Sequence, residues 1–369
     1  MSALAEHILD DGSRPFDAET VEADLRTMWK RGGPGTDPAR DGAIHRAAMA
    51  NLVVPLDPPF AMKLTPVLVE VTRQHPSRLF TIGAGAASKG GRLVARIGVI
   101  RHRRESGGGL ICSEQVVLDS DPDSVSLIPS AIRSLLIGDL PTVLLHFHPR
   151  IDLPWFEELV SMADLVLVDS CLVPPGREPE AWRFVEREGS RRVHDLAWAR
   201  LLPWRAILAE VFDDKEYLPA LGAVRAVEIA FVGPGPPPPP AWLLAGWLAT
   251  RLGWKVEGGD ARALRLESKS GPVTIAFRGS GSGQERILER ITITTDGPHA
   301  LVAEIRHQGR DRTARVTVRG QGELSSEVPF GYCEFAACIV GEIHRHAANR
   351  PMEQAARAAE EMMNVWSRS

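Results

Sequence analysis

The chain has 369 residues and a formal net charge of −4 at pH 7, from 43 Lys and Arg against 47 Asp and Glu. Its 44% hydrophobic and 24% charged residues are typical of a globular protein and exclude a wholly disordered chain. The near-neutral balance argues against a protein that is held to nucleic acid by its overall charge.

The sequence lacks the usual signals of membrane insertion and secretion. It contains no stretch of about 18 uncharged apolar residues, the length needed to span a bilayer. Residues 1–20 carry acidic side chains in place of the basic end and apolar block of a signal peptide. We therefore expect a cytoplasmic protein with no membrane partner.

Residues 1–48 are predicted to form an N-terminal helical segment. Apolar residues between positions 21 and 28 recur at helical spacing, and Asp17 is placed to cap the first turn. The prolines and glycines of residues 31–38 end this helix. A second, short helix is expected at residues 44–49.

Residues 49–180 alternate strand and helix patterns, which predicts an α/β domain. Strands such as Val143–Leu145 and Leu165–Val168 are continuously apolar, which indicates a sheet with helices on both faces. Two successive strands, at 92–101 and 110–119, flank a glycine-rich turn. The sheet is therefore expected to be mixed.

Residues 181–369 are predicted to form an α+β domain. Asp195–Phe212 has the pattern of a long helix that Pro203 either kinks or divides in two. Several strands with loose turns between 255 and 319 favour an antiparallel sheet, and two helices close the chain. The proline run Pro236–Pro240 is interpreted as a stiff spacer.

Gly83–Gly91 is a first candidate site, because the backbone amides of glycine-rich loops can approach phosphates. A dinucleotide fingerprint lies between a strand and a helix, whereas the residues after this segment have a strand pattern. We interpret the segment as a flexible connection. A sugar-phosphate or nucleotide sensor remains an alternative. A short basic run at Arg101–Arg104 is interpreted as a solvated strand end.

His146 and His148 end an apolar strand, and their spacing places both imidazoles on one face. Some metal-dependent hydrolases use such a His-x-His pair, so a metal-dependent hydrolase is an alternative function. His194 and Asp169 are available as further ligands, although no spacing supports them. Otherwise the two histidines belong to a surface that a partner contacts. The sequence gives no positive case for catalysis and predicts neither a cofactor nor a metal.

The cysteines form neither a disulfide scaffold nor a Cys-x-x-Cys pair. They are Cys112, Cys171, Cys333 and Cys338. We interpret them as small buried apolar residues, with a redox role as the alternative. Cys333 and Cys338 lie five residues apart in a predicted helix, so their side chains are not expected to meet.

The segment 195–205 combines tryptophan and arginine in a way that is enriched at the centres of protein–protein contacts. Its candidate residues are Asp195, Trp198, Arg200, Trp204 and Arg205. On a helix, Asp195, Trp198 and Leu202 would share one face. The segment could therefore also be a packed helix whose arginines pair with acids, and composition does not decide between the two.

Seven short segments are shared, in similar order, with a known family. They are Arg46–Val54, His75–Leu79, Ile111–Val116, Ile128–Leu136 with Asp139–Pro141, Ala163–Ser170, Asp195–Arg205 and Trp242–Trp254. By these segments the chain resembles the OpcA family, the glucose-6-phosphate dehydrogenase assembly proteins of bacteria.

The resemblance implies a non-catalytic, allosteric partner that binds glucose-6-phosphate dehydrogenase and promotes its active oligomer in the oxidative pentose phosphate pathway. In some relatives this effect is tied to thiol redox state. Two features depart from the family. The strand after Asp139–Pro141 ends in His146-Phe-His148 where relatives often carry paired tryptophans. The cysteines offer no close pair. We expect docking to involve the 195–205 segment and the two histidines.

Overall fold

The structure is a computed structural model that describes residues 6–9, 12–30, 44–56, 58–84, 93–103, 110–147, 154–189, 192–260, 262–281, 286–307, 311–331, 334–345 and 348–367. The helices of these residues are α1 (Ala18–Lys30), α2 (Pro58–Gln74), α3 (Ile128–Leu135), α4 (Pro154–Met162), α5 (Glu178–Glu188), α6 (Leu196–Ala199), α7 (Leu202–Asp213), α8 (Pro239–Leu252), α9 (Phe335–Ile343) and α10 (Arg350–Trp366). Short 3-10 helices span Pro122–Leu127, Ser170–Leu172 and Leu218–Ala223.

The strands of the described residues form two sheets. They are β1 (Glu6–Leu9), β2 (Arg14–Pro15), β3 (Ile44–Arg46), β4 (Ala50–Pro55), β5 (Ser77–Ala84), β6 (Leu93–Arg103), β7 (Leu110–Ser120), β8 (Thr142–His146), β9 (Leu165–Val168), β10 (Val193–Asp195), β11 (Val224–Val232), β12 (Lys255–Gly259), β13 (Ala263–Ser268), β14 (Gly271–Ser280), β15 (Leu288–Thr295), β16 (Val302–Arg306), β17 (Thr313–Arg319) and β18 (Glu323–Pro329). In these residues no helix is long and apolar enough to cross a membrane.

The chain divides into two compact units. The first comprises Met1–Leu172, Arg191–His194 and Phe335–His346, and the second comprises Val173–Ser190, Asp195–Glu334 and Ala347–Ser369. Each unit is built around one of the two sheets. The α/β class with a mixed first sheet is confirmed.

The first unit contains a mixed sheet in the order β1-β6-β7-β5-β4-β8-β9-β10, with β2 beside β6 and β3 beside β7. The central strands β5, β4, β8 and β9 are parallel, whereas β6 and β7 are antiparallel. Every residue of β4, β8 and β9 is buried. Both faces of these strands are therefore covered, which accounts for their continuously apolar sequences.

Local signals place the first two helices correctly. The backbone amide of Thr20 donates to the Asp17 carboxylate over 2.8 Å, so Asp17 caps α1 as predicted. Val21 and Leu25 are the fully buried residues of α1. In α2, Leu64, Leu68 and Val71 lie on one buried face.

Within residues 1–48, the first predicted helix is present as α1, but the prediction of a second helix at residues 44–49 is wrong. β1 and β2 pair with β6, and Ile44–Arg46 is a strand that pairs in parallel with β7 instead of a helix. Periodicity could not predict these short strands, because their hydrogen-bond partners lie far away along the chain. The basic run at the end of β6 is also misplaced, because Arg101 and His102 are buried in the sheet.

The second unit contains a sheet in the order β12-β13-β14-β11-β15-β16-β17-β18. Its described pairs are antiparallel, as predicted, except that β11 and β14 run in parallel. Residues alternate along the strands, with Ile291 and Ile293 of β15 buried and their neighbours half-buried. Such alternation is typical of a sheet with one face on a core and one face open.

Helices α8 and α10 form the core of the second unit. A Cβ added at Gly246 of α8 would overlap the backbone carbonyl oxygen of Ala355 in α10, so the glycine permits this close approach. Pro239 and Pro240 are the first residues of α8 and are buried, so they are not part of an extended spacer. α9, which was predicted in the second domain, packs instead with α2 and β9 of the first unit.

Candidate functional site

The 195–205 segment forms two short helices, α6 and the start of α7. The Asp195 carboxylate accepts a hydrogen bond of 2.9 Å from the Ala197 amide and so caps α6. Pro203 lies in the first turn of α7, where a proline costs no helical hydrogen bond. Pro203 therefore begins a second helix.

Trp198 and Arg205 hold α6 and α7 together. The Arg205 guanidinium lies 3.6 Å from the centroid of the Trp198 ring, which is a cation–π contact. Nη2 of Arg205 also donates to the Trp198 carbonyl oxygen over 3.3 Å. Trp198 is 2% exposed, so the arginine covers a ring that is already part of the core.

Trp204 fixes α7 to a second aromatic group. Its ring meets Phe330 edge-on at 5.3 Å and His307 edge-on at 6.2 Å. His307 and Phe330 stack on each other at 3.7 Å between centroids. Trp204 is 4% exposed, and edge-to-face aromatic contacts of this kind stabilise a folded core.

The structure brings the five candidates of this segment together, but three of them face inward. Asp195, Trp198 and Trp204 are buried, whereas Arg200 and Arg205 are half-buried. Leu202, between the two tryptophans, is 51% exposed and is the apolar side chain that a partner could reach. A single continuous helix would place Leu202 on the packed face, and the break before Pro203 turns it outward instead.

His146 is buried in the first unit. It is 3% exposed at the end of β8, and its ring lies 3.9 Å from the ring of Phe156. His148 lies outside the described residues. His194, considered as a third ligand, has Nδ1 2.8 Å from the buried Glu342 carboxylate. Among the residues that the structure describes, no group of three or more His, Cys, Asp or Glu could hold a metal ion.

The cysteines have different environments. Cys112 is buried as expected, whereas Cys171 is exposed, contrary to the expectation that the cysteines are buried. Cys338, on α9, is disulfide-bonded, contrary to the expectation that the cysteines offer no close pair. Cys333 lies outside the described residues.

Most of the glycine-rich candidate, Gly83–Gly91, lies outside the described residues. Gly83 is near the end of β5, and residues 85–91 lie outside the described residues. The next described element, β6, is a strand, which agrees with the predicted connection between two strands.

At the other end of β6, His102 is buried. Burial lowers the pKa of His102 to about 4, and the positive charge of Arg73 acts in the same direction.

A buried ion network in the first unit was not predicted from the sequence. Nε of Arg78 donates to the Glu114 carboxylate over 2.8 Å, and both side chains are 3% exposed. Glu114 also accepts from Nε1 of Trp29 at 2.6 Å and lies 2.8 Å from Arg46. Arg78 further donates to Glu22 and to the Leu135 carbonyl oxygen.

The network uses residues from the segments that carry the family resemblance. Arg46, Arg78 and Glu114 belong to three of those segments, and Asn51 belongs to the first. The Asn51 side chain donates to the carbonyl oxygens of Ile137 and Leu140 and accepts from the Ile137 amide. These hydrogen bonds join β4 of the first sheet to the residues that follow α3.

Two family models match the chain. The model described as the glucose-6-phosphate dehydrogenase subunit N-terminal domain, OpcA_G6PD_assem, covers residues 69–183. The model described as the C-terminal domain of that subunit, OpcA_G6PD_C, covers residues 191–356.

Curated relatives and a solved structure are also similar to the chain. An OxPP cycle protein OpcA of Nostoc punctiforme is 33% identical over 173 residues, which is 44% of this chain and 36% of the relative. The protein of the same name from Synechocystis is 30% identical over 148 residues, or 39% of this chain and 30% of the relative. The matches thus span about a third of the length of these relatives. An oxidoreductase from Sinorhizobium meliloti shares the fold, with a TM-score of 0.54 at 12% identity over 88% of this chain and 97% of that one.

Proposed function

Because the chain belongs to the OpcA family, we propose that it is a non-catalytic partner that binds glucose-6-phosphate dehydrogenase and favours the active oligomer of that enzyme. The observation that carries the proposal is the match of both family models, which are described as domains of a glucose-6-phosphate dehydrogenase subunit. The names of the curated relatives refer to the oxidative pentose phosphate cycle, which agrees with this partner.

The positions of the shared residues support a role in architecture instead of chemistry. Arg78, Glu114 and Asn51 are buried, and each is used in hydrogen bonds that join strands and helices of the first unit. A partner protein needs such a scaffold to present a fixed surface, because rigid, pre-ordered surfaces lose less conformational entropy on binding. Its contact residues can then differ from those of its relatives.

The mechanism that we propose is differential binding. A partner can shift an equilibrium between two enzyme states only if it binds one of them more tightly. A tenfold preference for the active state corresponds to a coupling free energy of about 1.4 kcal/mol. The same coupling requires that ligands which stabilise the active enzyme also tighten the binding of this chain.

We propose that the outer side of the 195–205 segment contributes to the contact. Leu202 is exposed there, and the half-buried Arg200 and Arg205 flank it. An apolar side chain with adjacent guanidinium groups has the composition that is enriched at the centres of protein contacts. In this proposal Trp198 and Trp204 act through the scaffold and do not touch the enzyme.

The experiment mixes the purified chain with glucose-6-phosphate dehydrogenase from the same cell. Light scattering measures the mass of the complex, and NADPH formation measures activity in the same samples. A heavier complex with raised activity or a lowered KM for substrate supports the proposal. No complex and no kinetic effect, with both proteins folded, would contradict it.

A pair of leucine variants tests the docking segment. Leu202→Asp places a charge on the proposed contact and should weaken the complex without unfolding the chain, because the side chain is already exposed. Leu218→Asp is the matched control, since Leu218 is 53% exposed in a different segment of the second unit. Equal binding by both variants would remove the segment from the contact.

A further inference from the structure

On β15 and β16 of the second sheet, the side opposite the buried isoleucines is the more exposed one. On β15 and β16 the inward residues Ile291, Ile293 and Ile305 are almost fully buried. The outward residues of the same strands, such as Arg290 and Arg306, retain partial exposure. This outward side is called the open face below.

The strand register arranges several charges of the open face in two neighbouring rows, whereas others, such as Arg319 opposite Val302, lie outside them. One row crosses five adjacent strands and consists of Arg278, Ala230, Arg290, Arg306 and Arg315, which pair successively with one another. We call it the arginine row. The next row, two residues along each strand, consists of Ala276, Glu228, Thr292, Glu304 and Thr317. We call it the glutamate row.

The arginine row places like charges side by side, which by itself destabilises a sheet. Three of its arginines have carboxylate partners within the chain: Arg278 and Arg290 lie 3.4 and 2.8 Å from Glu228, and Arg315 lies 3.2 Å from Glu327. Arg306, between Arg290 and Arg315, has no ion pair or side-chain hydrogen bond with the described residues, and its Nε atom is buried.

Glu304, in turn, lacks a close cationic partner among the described residues. Its nearest cation is Arg290, at 3.9 Å, which is the outer limit of an ion pair. Glu304 and Arg306 lie two residues apart on β16 and point to the same side. One strand thus carries a poorly paired cation and a poorly paired anion on the same open face.

This arrangement is complementary to itself. A two-fold axis that runs between the two rows, parallel to them, places the arginine row of one copy over the glutamate row of the other. In that arrangement β16 stacks on β16, and Arg306 of each copy faces Glu304 of the other. Interfaces of this kind use the same patch on both subunits.

The size and shape of the open face suit such a contact. Alanine and threonine fill most positions between the charged residues, so that two faces can approach to the usual sheet spacing of about 10 Å. The eight strands cover roughly 34 by 20 Å at ordinary strand spacings, on the order of 700 Å² per copy. A stable protein–protein contact buries about 800 Å² per partner.

We propose that the open face of the second sheet docks on the same face of a second copy of this chain, with Arg306 of each copy paired to Glu304 of the other. This inference stands independently of the proposed function. It predicts that the chain is a dimer in the absence of any other protein.

The test uses two single variants at half-buried positions of β16, each checked for an unchanged fold by circular dichroism. Arg306→Glu places an acid between Arg290 and Arg315, so it relieves repulsion within the chain while it opposes Glu304 of the second copy. Glu304→Arg likewise brings two arginines together across the contact. Each variant should weaken self-association by about tenfold or more, measured by sedimentation velocity over a concentration series.

Mixing the two variants gives the decisive result. In a mixed pair, the acid introduced by Arg306→Glu faces the arginine introduced by Glu304→Arg, and the unchanged Glu304 of the first variant faces the unchanged Arg306 of the second. Both contacts become attractive, so two samples that are monomeric separately should dimerise when combined. Arg251→Glu is the matched control, because it makes the same charge change on an exposed residue of α8, which packs on the core side of the sheet.

Several outcomes would overturn the proposal. The wild-type chain could remain a monomer at about 100 μM, where even weak specific contacts form. The dimer could be unaffected by both single variants, which would place the contact elsewhere. The chain could also stay monomeric while Arg306→Glu abolishes binding to glucose-6-phosphate dehydrogenase, in which case the open face would dock the enzyme and not a second copy.

Discussion

The buried pair of Arg78 and Glu114 should make a large contribution to the stability of the first unit. Arg78 donates to Glu114, to Glu22 and to the carbonyl oxygen of Leu135. Arg78→Met keeps the apolar part of the side chain but removes all three charge-assisted hydrogen bonds. It also leaves Glu114 in an interior where it is 3% exposed.

The magnitude follows from what remains around Glu114. Removing one partner of a buried ion pair costs about 3–5 kcal/mol, because the other charge is left uncompensated. Glu114 retains Trp29 and the half-exposed Arg46, so we expect the lower end of that range. The unsatisfied Leu135 carbonyl oxygen adds about 1 kcal/mol. The total loss should be about 4 kcal/mol.

Urea unfolding followed by tryptophan fluorescence measures this loss in the complete chain. Arg73→Met is the control, because Arg73 pairs with Glu70 on the exposed side of α2 and such pairs contribute about 0–1 kcal/mol. In the double variant Arg78→Met, Glu114→Met no charge of the pair remains buried, so it should lose less than Arg78→Met alone. Equal losses for Arg78→Met and Arg73→Met would refute the reasoning.

Three further predictions concern other buried residues. Burial lowers the pKa of His102 to about 4 in the folded chain, whereas the ordinary value is about 6.5. The contribution of His102 to the free energy of unfolding should therefore fall by about 1.4 kcal/mol for each pH unit of acidification between those values, and His102→Gln should flatten the slope by that contribution in urea titrations. Trp204→Ala should cost about 3–5 kcal/mol, whereas Leu202→Ala should change stability by less than about 0.5 kcal/mol; similar values for the two would mean that Trp204 is not a core residue. Gly246→Ala should lower Tm and cost about 1–3 kcal/mol of stability, because the added Cβ would overlap the backbone of α10. The control is Gly341→Ala, whose Cβ meets no atom nearby and which should leave Tm unchanged or raise it.

The parts of the fold that were predicted correctly depend on local signals. The Asp17 cap and the apolar strands β8 and β9 follow from short stretches of sequence. At Pro203 the sequence left a kink or a second helix open, and the structure has the second helix. The errors concern elements whose structure is set by distant partners. Ile44–Arg46 is a strand because it pairs with the first residues of β7, and nothing in its own sequence indicates that pairing.

The candidate site shows the same limit. Tryptophan and arginine in the 195–205 segment suit a partner contact or a packed helix, and burial is what distinguishes them. That burial depends on Phe330 and His307, which lie more than a hundred residues away along the chain. Composition therefore made this segment a candidate, but it could not show that both tryptophans face inward.

The arginine row illustrates why surfaces are harder to predict than cores. Each of its residues lies on a different strand, so no single strand pattern contains two of them, and each alone looks like an ordinary solvated charge. Only the strand register shows that like charges adjoin and that Arg306 has no ion-pair partner among the described residues. In the proposed dimer, Glu304 of a second copy supplies the carboxylate partner that Arg306 lacks among the described residues of its own chain.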